Sequence, residues 1–201
     1  LLHDVAKPAA MTVEPSGRIR FFEHGPLGAR ICRDVMERLR FSRKAIQHVS
    51  TMVEYHLRPG QAAAPGRPPS ARAIYRYRRD LGDVSIDTLY LNMADYMAAK
   101  GPDMLGPDYD FTEWESHCGA VKLLLSGDDG QSTRSRPAVG LLNGNEIMTE
   151  FSLEPGPAVG ELLELVEEAA ATGEIKSRSG ALHLARAALE SGRVTGGRKL
   201  P

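Results

Sequence analysis

The chain opens with Leu-Leu-His-Asp-Val-Ala-Lys-Pro at residues 1–8, an apolar segment interrupted by an adjacent histidine and aspartate. Such a pair offers one nitrogen and one oxygen ligand, a combination that suits zinc, nickel, manganese, iron or magnesium. Two ligands cannot complete a coordination shell. Three further candidates, His24, His56 and Asp95, follow at long intervals in helical or helix-flanking segments. We therefore predict a metal site assembled from several helices.

Helical periodicity dominates the segments that follow. Leucine, isoleucine and valine recur every four residues from Leu27 to Leu39, and Ser42 is placed to cap a second helix that ends near residues 57–60. Further helices are predicted at residues 71–81, 85–100, 110–125 and 179–189, with another around Leu162–Ala169. The only hint of a strand is the segment at residues 18–22. The pattern predicts an all-α fold.

The composition limits which partners the chain is expected to bind and the cellular compartment in which it is expected to work. The 201 residues carry 25 basic and 26 acidic side chains, so no overall charge attracts the chain to nucleic acid. Cys32 and Cys118 have no paired spacing, which argues against a disulfide framework and fits a cytoplasmic protein. No stretch approaches the roughly 18 apolar residues of a membrane span. Because the chain begins without Met inside an apolar segment, we expect a natural N-terminal portion to be missing.

A polar segment at residues 126–136 is the best candidate for a domain boundary, because it contains no apolar residue that could contribute to a core. We predict one domain at residues 1–126 and a linker at residues 127–137. A small helical region is predicted at residues 138–191, and a disordered tail at residues 192–201.

Several of these segments resemble a known family. The opening residues 1–8, Gly-Arg-Ile-Arg-Phe-Phe-Glu-His at residues 17–24 and the Gly-Ala pair at 28–29 are similar to the HD superfamily of metal-dependent phosphohydrolases. The segments at residues 72–82, 89–95, 142–148 and 156–160 resemble the C-terminal half of bacterial tRNA nucleotidyltransferases and poly(A) polymerases that carry an HD domain. The resemblance runs from Leu1 to about Leu189 and implies a helical HD domain followed by a small helical RNA-binding region.

The resemblance also implies roles for individual residues. His3, Asp4 and Asp95 would hold the central metal, and His24 and His56 would bind a second metal or the substrate phosphate. Asp4, Asp95 and Lys7 would be the catalytic residues, with Lys7 touching phosphate. The alternatives are a helix-capping His-Asp pair, surface histidines and a lysine that extends to water. Asp95 favours the metal interpretation, because a carboxylate in an apolar helix is costly unless it is paired or ligating.

A basic and aromatic cluster is the candidate RNA contact. It comprises Arg72, Arg76, Arg78 and Arg79, with Tyr75 and Tyr77 between them. Arginine can contact phosphates and tyrosine can stack on bases, although a solvated helix face paired with Asp80 and Asp83 fits the same pattern. The remaining histidines, His48, His117 and His183, belong to no motif, and a surface or structural role is expected for them.

Two functions are compatible with these features. The first is a metal-dependent phosphohydrolase module of a tRNA nucleotidyltransferase or poly(A) polymerase-like protein, acting on a nucleotide or on an RNA 3′ end. The second is a non-catalytic RNA-binding body that positions tRNA for a polymerase head, which is not in this sequence. A free-standing HD hydrolase of small nucleotides is a third, less favoured because it would not need the segments after Leu141. The family pattern also places a histidine before the His-Asp pair, where this sequence has no residue, and Gly25 and Ala6 depart from residues common in relatives.

Overall fold

The computed structural model describes residues 1–62, 67–126 and 140–194. The chain divides into two compact units, Leu1–Gly127 and Asp128–Pro201. The predicted linker at residues 127–137 lies outside the described residues, as does the predicted tail from residue 195 onward. Val194, also within the predicted tail, is buried in the core of the second unit. No helix in the described part of the chain is long and apolar enough to cross a membrane.

The described residues of the first unit form five longer helices and several short elements. Its elements are α1 (Lys7–Ala10), β1 (Met11–Val13), β2 (Ile19–Phe21), α2 (His24–Arg38), α3 (Arg43–Tyr55), α4 (Arg58–Gln61), α5 (Ala71–Leu81), α6 (Ser85–Lys100) and α7 (Thr112–Ser126). Short 3₁₀ helices at Gly82–Val84 and Gly101–Leu105 flank α6. The prediction of an essentially helical fold is confirmed.

The two strands form a small antiparallel hairpin between α1 and α2. Met11 pairs with Phe21, Thr12 with Arg20 and Val13 with Ile19. Gly17 provides the positive φ of +80° that the turn requires. The hint at residues 18–22 therefore corresponds to β2, whereas β1 was not predicted from the sequence.

Two glycines allow α2 to approach the end of α3. A Cβ atom on Gly25 would lie 2.7 Å from the carbonyl oxygen of Glu54, and one on Gly28 would lie 3.1 Å from Cγ1 of Val53. The first contact is closer than real Cβ atoms approach a neighbour, and the second is tighter than most real Cβ contacts. Since Gly25 directly follows His24, this close approach brings His24 towards His56, the residue that ends α3.

A cluster of buried apolar residues holds α6 against α5 and α7. Its buried members are Tyr77, Leu81, Leu89, Val121 and Leu124. The Tyr77 hydroxyl donates to the Ser85 carbonyl at 2.6 Å, and the Arg78 guanidinium donates to the Leu124 carbonyl at 2.9 Å. The first bond ties α5 to the start of α6, the helix that carries Asp95, and the second ties α5 to α7.

The second unit contains α8 (Gly144–Phe151), α9 (Pro157–Ala171) and α10 (Arg178–Glu190). Asn143 and Glu146 form a reciprocal capping box at the start of α8. Pro157 occupies the first turn of α9, where its missing N–H costs nothing. The three helices surround a core that includes Ile147, Leu162, Val166 and Ala185.

Candidate metal centre

His3 and Asp4 lie in a turn just before α1. The next residues anchor this turn, because Ala6 is fully buried and the Lys7 ammonium contacts Asp4 Oδ2 at 2.6 Å. Partial burial acts to raise the pKa of the Asp4 carboxyl, but the hydrogen bond from Lys7 and the nearby positive charges hold it below its ordinary value. Asp4 is therefore an anion at neutral pH.

Backbone carbonyls fix the orientation of two buried histidines. His24 Nδ1 lies 2.7 Å from the Phe21 carbonyl oxygen, and His56 Nδ1 lies 2.7 Å from the Val53 carbonyl oxygen. A carbonyl can only accept, so Nδ1 carries the hydrogen in both rings. In the neutral rings, Nε2 then offers a lone pair, which is how metal-binding histidines are usually oriented.

The Nε2 atoms of His24 and His56 face Asp4, and these three residues are called here the buried group. The two nitrogens lie 3.3 Å apart, and they lie 3.6 and 3.8 Å from Asp4 Oδ1. That oxygen is buried and has no hydrogen-bond donor among the described residues. Three acceptor atoms thus point at one another, an arrangement that is unfavourable without a cation between them.

The separations fit a divalent ion. Ligands bound tetrahedrally at the usual zinc–nitrogen distance lie roughly 3.3 Å from one another. Burial lowers the pKa of the His56 imidazole, although its hydrogen bond to Val53 opposes the shift. His56 therefore remains neutral at neutral pH and available as a ligand.

A second set of ligand atoms adjoins the first and shares Asp4. His3 Nε2 lies 3.3 Å from Asp4 Oδ2 and 3.3 Å from Oδ1 of Asp95, which α6 supplies. We call His3, Asp4 and Asp95 the partly exposed group, because 22–30% of each side chain is accessible to solvent. His3 Nδ1 is buried without a hydrogen-bond partner in the described part of the chain. Both groups satisfy the geometric requirements for holding a metal ion.

The structure therefore brings together all six residues proposed for metal or catalysis: His3, Asp4, Lys7, His24, His56 and Asp95. The four arginines proposed to bind RNA lie on α5, where Arg78 donates to the Leu124 carbonyl and Arg79 donates to the Asp80 carboxylate. His48 pairs with Asp87 at 2.8 Å on the surface, and His183 is exposed. His117 is buried.

Sequence reasoning missed one residue behind the centre. The Asn92 amide donates to the His56 carbonyl at 2.8 Å, and only 5% of Asn92 is exposed. The sequence did carry a signal for Asn92, since it is a polar residue among apolar positions of α6. The same signal led to the prediction of Asp95 but not of Asn92.

A family model described as HD domain matches residues 1–100, about half of the chain. The chain belongs to the HD domain family. The resemblance inferred from the opening residues is confirmed.

Similarity to curated proteins extends past the HD domain. The chain is 32% identical over 178 residues to an A-adding tRNA nucleotidyltransferase of Deinococcus radiodurans, covering 87% of this chain and 37% of that protein. It is 32% identical over 179 residues to a CC-adding tRNA nucleotidyltransferase of Thermus thermophilus, covering 89% of this chain and 36% of that protein. A shorter match, 40% over 42 residues, covers 21% of this chain and 11% of a CCA-adding enzyme of Lactococcus lactis. The chain thus spans little more than a third of the first two relatives, and no solved structure gives a significant match.

Proposed function

We propose that this chain is a metal-dependent phosphohydrolase module of a tRNA nucleotidyltransferase-like protein, acting on phosphoesters of nucleotides or RNA 3′ ends. The observation that supports it best is the convergence of Asp4 Oδ1, His24 Nε2 and His56 Nε2 within 3.8 Å of one another. Three acceptors in that arrangement call for a cation, and nitrogen and carboxylate ligands suit zinc, nickel, manganese or iron, whereas magnesium prefers oxygen ligands.

Asp4, His24 and His56 would hold one ion, and His3 and Asp95 would complete a second position that also uses Asp4. The chemistry that a bound divalent ion supplies is a lowered pKa of water and a polarised phosphoryl oxygen. Lys7 and Asp95 flank this position from two different elements. Asp95 is partly exposed, so its carboxylate can orient an attacking water and accept its proton.

Lys7 is the residue suited to recognise phosphate. Its side chain is 38% exposed, and the ammonium is held 2.6 Å from Asp4 Oδ2. That contact uses one of its three donors and leaves the others available to phosphate oxygens. Lys7 would thereby neutralise the charge that develops on phosphate as the ester bond breaks.

The second candidate is a non-catalytic RNA-binding body. It is favoured by similarity that covers 87% of the chain and therefore extends into the second unit, whose described residues contribute nothing to either ligand group. The two longer matches are to tRNA nucleotidyltransferases, and tRNA is the RNA proposed here as partner. The arginines of α5 remain the proposed contacts.

The test is elemental analysis of the purified chain, together with hydrolysis of a nucleoside 2′,3′-cyclic phosphate in nickel, manganese or zinc. The variant is Asp4→Ala. The matched control is Asp87→Ala, which removes a carboxylate that contacts His48 on the surface. Metal and turnover that are lost only in Asp4→Ala would support the hydrolase. Bound metal without turnover of any phosphoester would favour the RNA-binding body, and a wild-type chain that binds no divalent metal would contradict the metal centre.

A further inference from the structure

The side of α6 that supplies Asp95 also supports the buried group. Asn92 precedes Asp95 by three residues, so the two side chains lie on neighbouring positions of one helix face. Asp95 contacts His3, whereas the Asn92 amide nitrogen donates to the carbonyl oxygen of His56. Helix α6 therefore contacts His3 of the partly exposed group and His56 of the buried group.

The other end of the Asn92 amide is unpaired. Asn92 Oδ1 and His117 Nε2 are both buried, and neither has a hydrogen-bond partner among the described residues. Less than a tenth of either residue is exposed, at 5% and 9%. A buried polar atom without a partner is costly, and native proteins rarely leave one in that state.

The two side chains border the same point next to α4. A Cβ atom on Gly60 would lie 3.8 Å from Asn92 Nδ2 and 3.9 Å from His117 Cε1, so both side chains line the space beside this glycine. The His117 ring is held in place by Tyr96, with ring centroids 4.6 Å apart and planes inclined by 17°. Burial lowers the pKa of His117, so the ring is neutral at neutral pH.

We propose that Asn92, His117 and Gly60 form a buried water site behind His56, and that Asn92 is a positioning residue for this metal ligand. A water molecule donates one hydrogen bond to Asn92 Oδ1. It donates a second one to His117 Nε2 when that nitrogen carries no hydrogen, and it accepts one from Nε2 when the nitrogen is protonated. With Oδ1 held in this way the amide cannot flip, so its nitrogen keeps facing the His56 carbonyl. The peptide after His56 is thereby fixed, and so is the corner between α3 and α4 from which the imidazole projects.

The water site itself is tested by a high-resolution crystal structure of the wild-type chain, which does not depend on metal binding. The expected result is a water within hydrogen-bond distance of both Asn92 Oδ1 and His117 Nε2. The proposal would be overturned if Asn92 Oδ1 and His117 Nε2 were hydrogen-bonded to other protein groups, or if no water lay between them.

The positioning role rests on the proposed function, because it requires His56 to bind a metal. Its test is the zinc affinity of Asn92→Leu, measured by competition with a chelator. We expect binding to weaken about 10- to 100-fold, the usual effect of losing a residue that orients a ligand. His117→Phe keeps the stacked ring but removes the second partner of the water, and we expect a smaller loss in the same direction.

The control is Thr88→Val, on the same helix. Thr88 is fully buried and donates to the Val84 carbonyl at 2.8 Å, so its loss removes a buried hydrogen bond without touching either ligand group. Thermal unfolding of all variants without metal reports whether they fold. An Asn92→Leu protein that folds and binds zinc as tightly as Thr88→Val would overturn the positioning role. A wild-type chain that binds no zinc but contains the water would instead refute the metal centre alone.

Discussion

The two ligand groups share Asp4 but differ in how their histidines are held. In the buried group, His24 and His56 each donate Nδ1 to a backbone carbonyl at 2.7 Å, so both Nε2 lone pairs are oriented before any ion binds. In the partly exposed group, His3 Nδ1 has no such partner in the described part of the chain, and His3 and Asp95 are open to water. Because these ligand atoms are already oriented, less conformational entropy is lost when a metal ion binds to them.

This difference assigns separate tasks to the two groups. The buried group is suited to retain an ion, because its two histidines are oriented and shielded from solvent and the Oδ1 atom of Asp4 is buried. The partly exposed group is suited to meet substrate, because its members and Lys7 can be reached from outside. We therefore expect the first metal ion to occupy the buried group, although the family resemblance alone would have assigned the central metal to His3, Asp4 and Asp95.

Removal of a ligand from the buried group is expected to have the largest effect. His56→Ala should weaken the binding of the first metal ion by more than about 100-fold, since losing a ligand costs more than losing a residue that orients one. The measurement is a chelator-competition titration with zinc or manganese. His48→Ala is the control, because His48 lies on α3 but pairs with Asp87 at the surface and belongs to neither ligand group. Equal affinities in the two variants would contradict the assignment.

Removal of a ligand from the partly exposed group should have a smaller effect on the first ion. Asp95→Asn keeps the shape of the side chain, and we expect the first metal to bind no more than about tenfold more weakly. Turnover of a nucleoside 2′,3′-cyclic phosphate should fall much further, because Asp95 is proposed to orient water. If Asp95→Asn lost the first metal as completely as His56→Ala, the two groups would not differ in the way proposed.

The smallest expected effect comes from the backbone that brings His24 to His56. Gly25→Ala places a Cβ atom 2.7 Å from the Glu54 carbonyl oxygen, so α2 must move away from α3. We expect the free energy of unfolding in urea to fall by about 1–3 kcal/mol, as for other overpacked positions, and metal binding to weaken severalfold.

The control for that variant is Gly119→Ala. Gly119 lies within α7, and a Cβ atom there would meet nothing within 4 Å. An alanine in that helical position should stabilise the protein by about 0.5–1 kcal/mol. If Gly25→Ala were also stabilising, the close approach of α2 and α3 would not be a requirement of the fold.

Much of the helical framework could be predicted from the sequence because it depends on local patterns. Ser42 caps α3 by accepting from the Ala45 N–H, as its position before the apolar repeat indicated. The bounds of α5 and α6 coincide with the predicted 71–81 and 85–100. Ser70 caps the start of α5, Gly82 ends α5, and Gly101 ends α6. β1 was not predicted, although it is as long as β2, because Met11–Val13 follows α1 directly and lacks the preceding glycine that marks the β2 segment.

The prediction that the ligand residues converge on one site depended on the family resemblance rather than on their spacing in the sequence. His3, His24, His56 and Asp95 are separated by intervals that no helical or strand period relates, so only tertiary packing brings them together. The carbonyls of Phe21 and Val53 have no side-chain signature at all. The role of Gly25 likewise emerges only when the distance to Glu54 is known.

The most direct test is to locate the first metal ion. Crystals of the full chain would be grown with one equivalent of zinc, and anomalous scattering at the zinc edge would show its position. We predict a single strong peak bonded to Asp4, His24 and His56. A peak bonded to His3 and Asp95 but not to His24 and His56 would contradict the assignment of the first ion to the buried group.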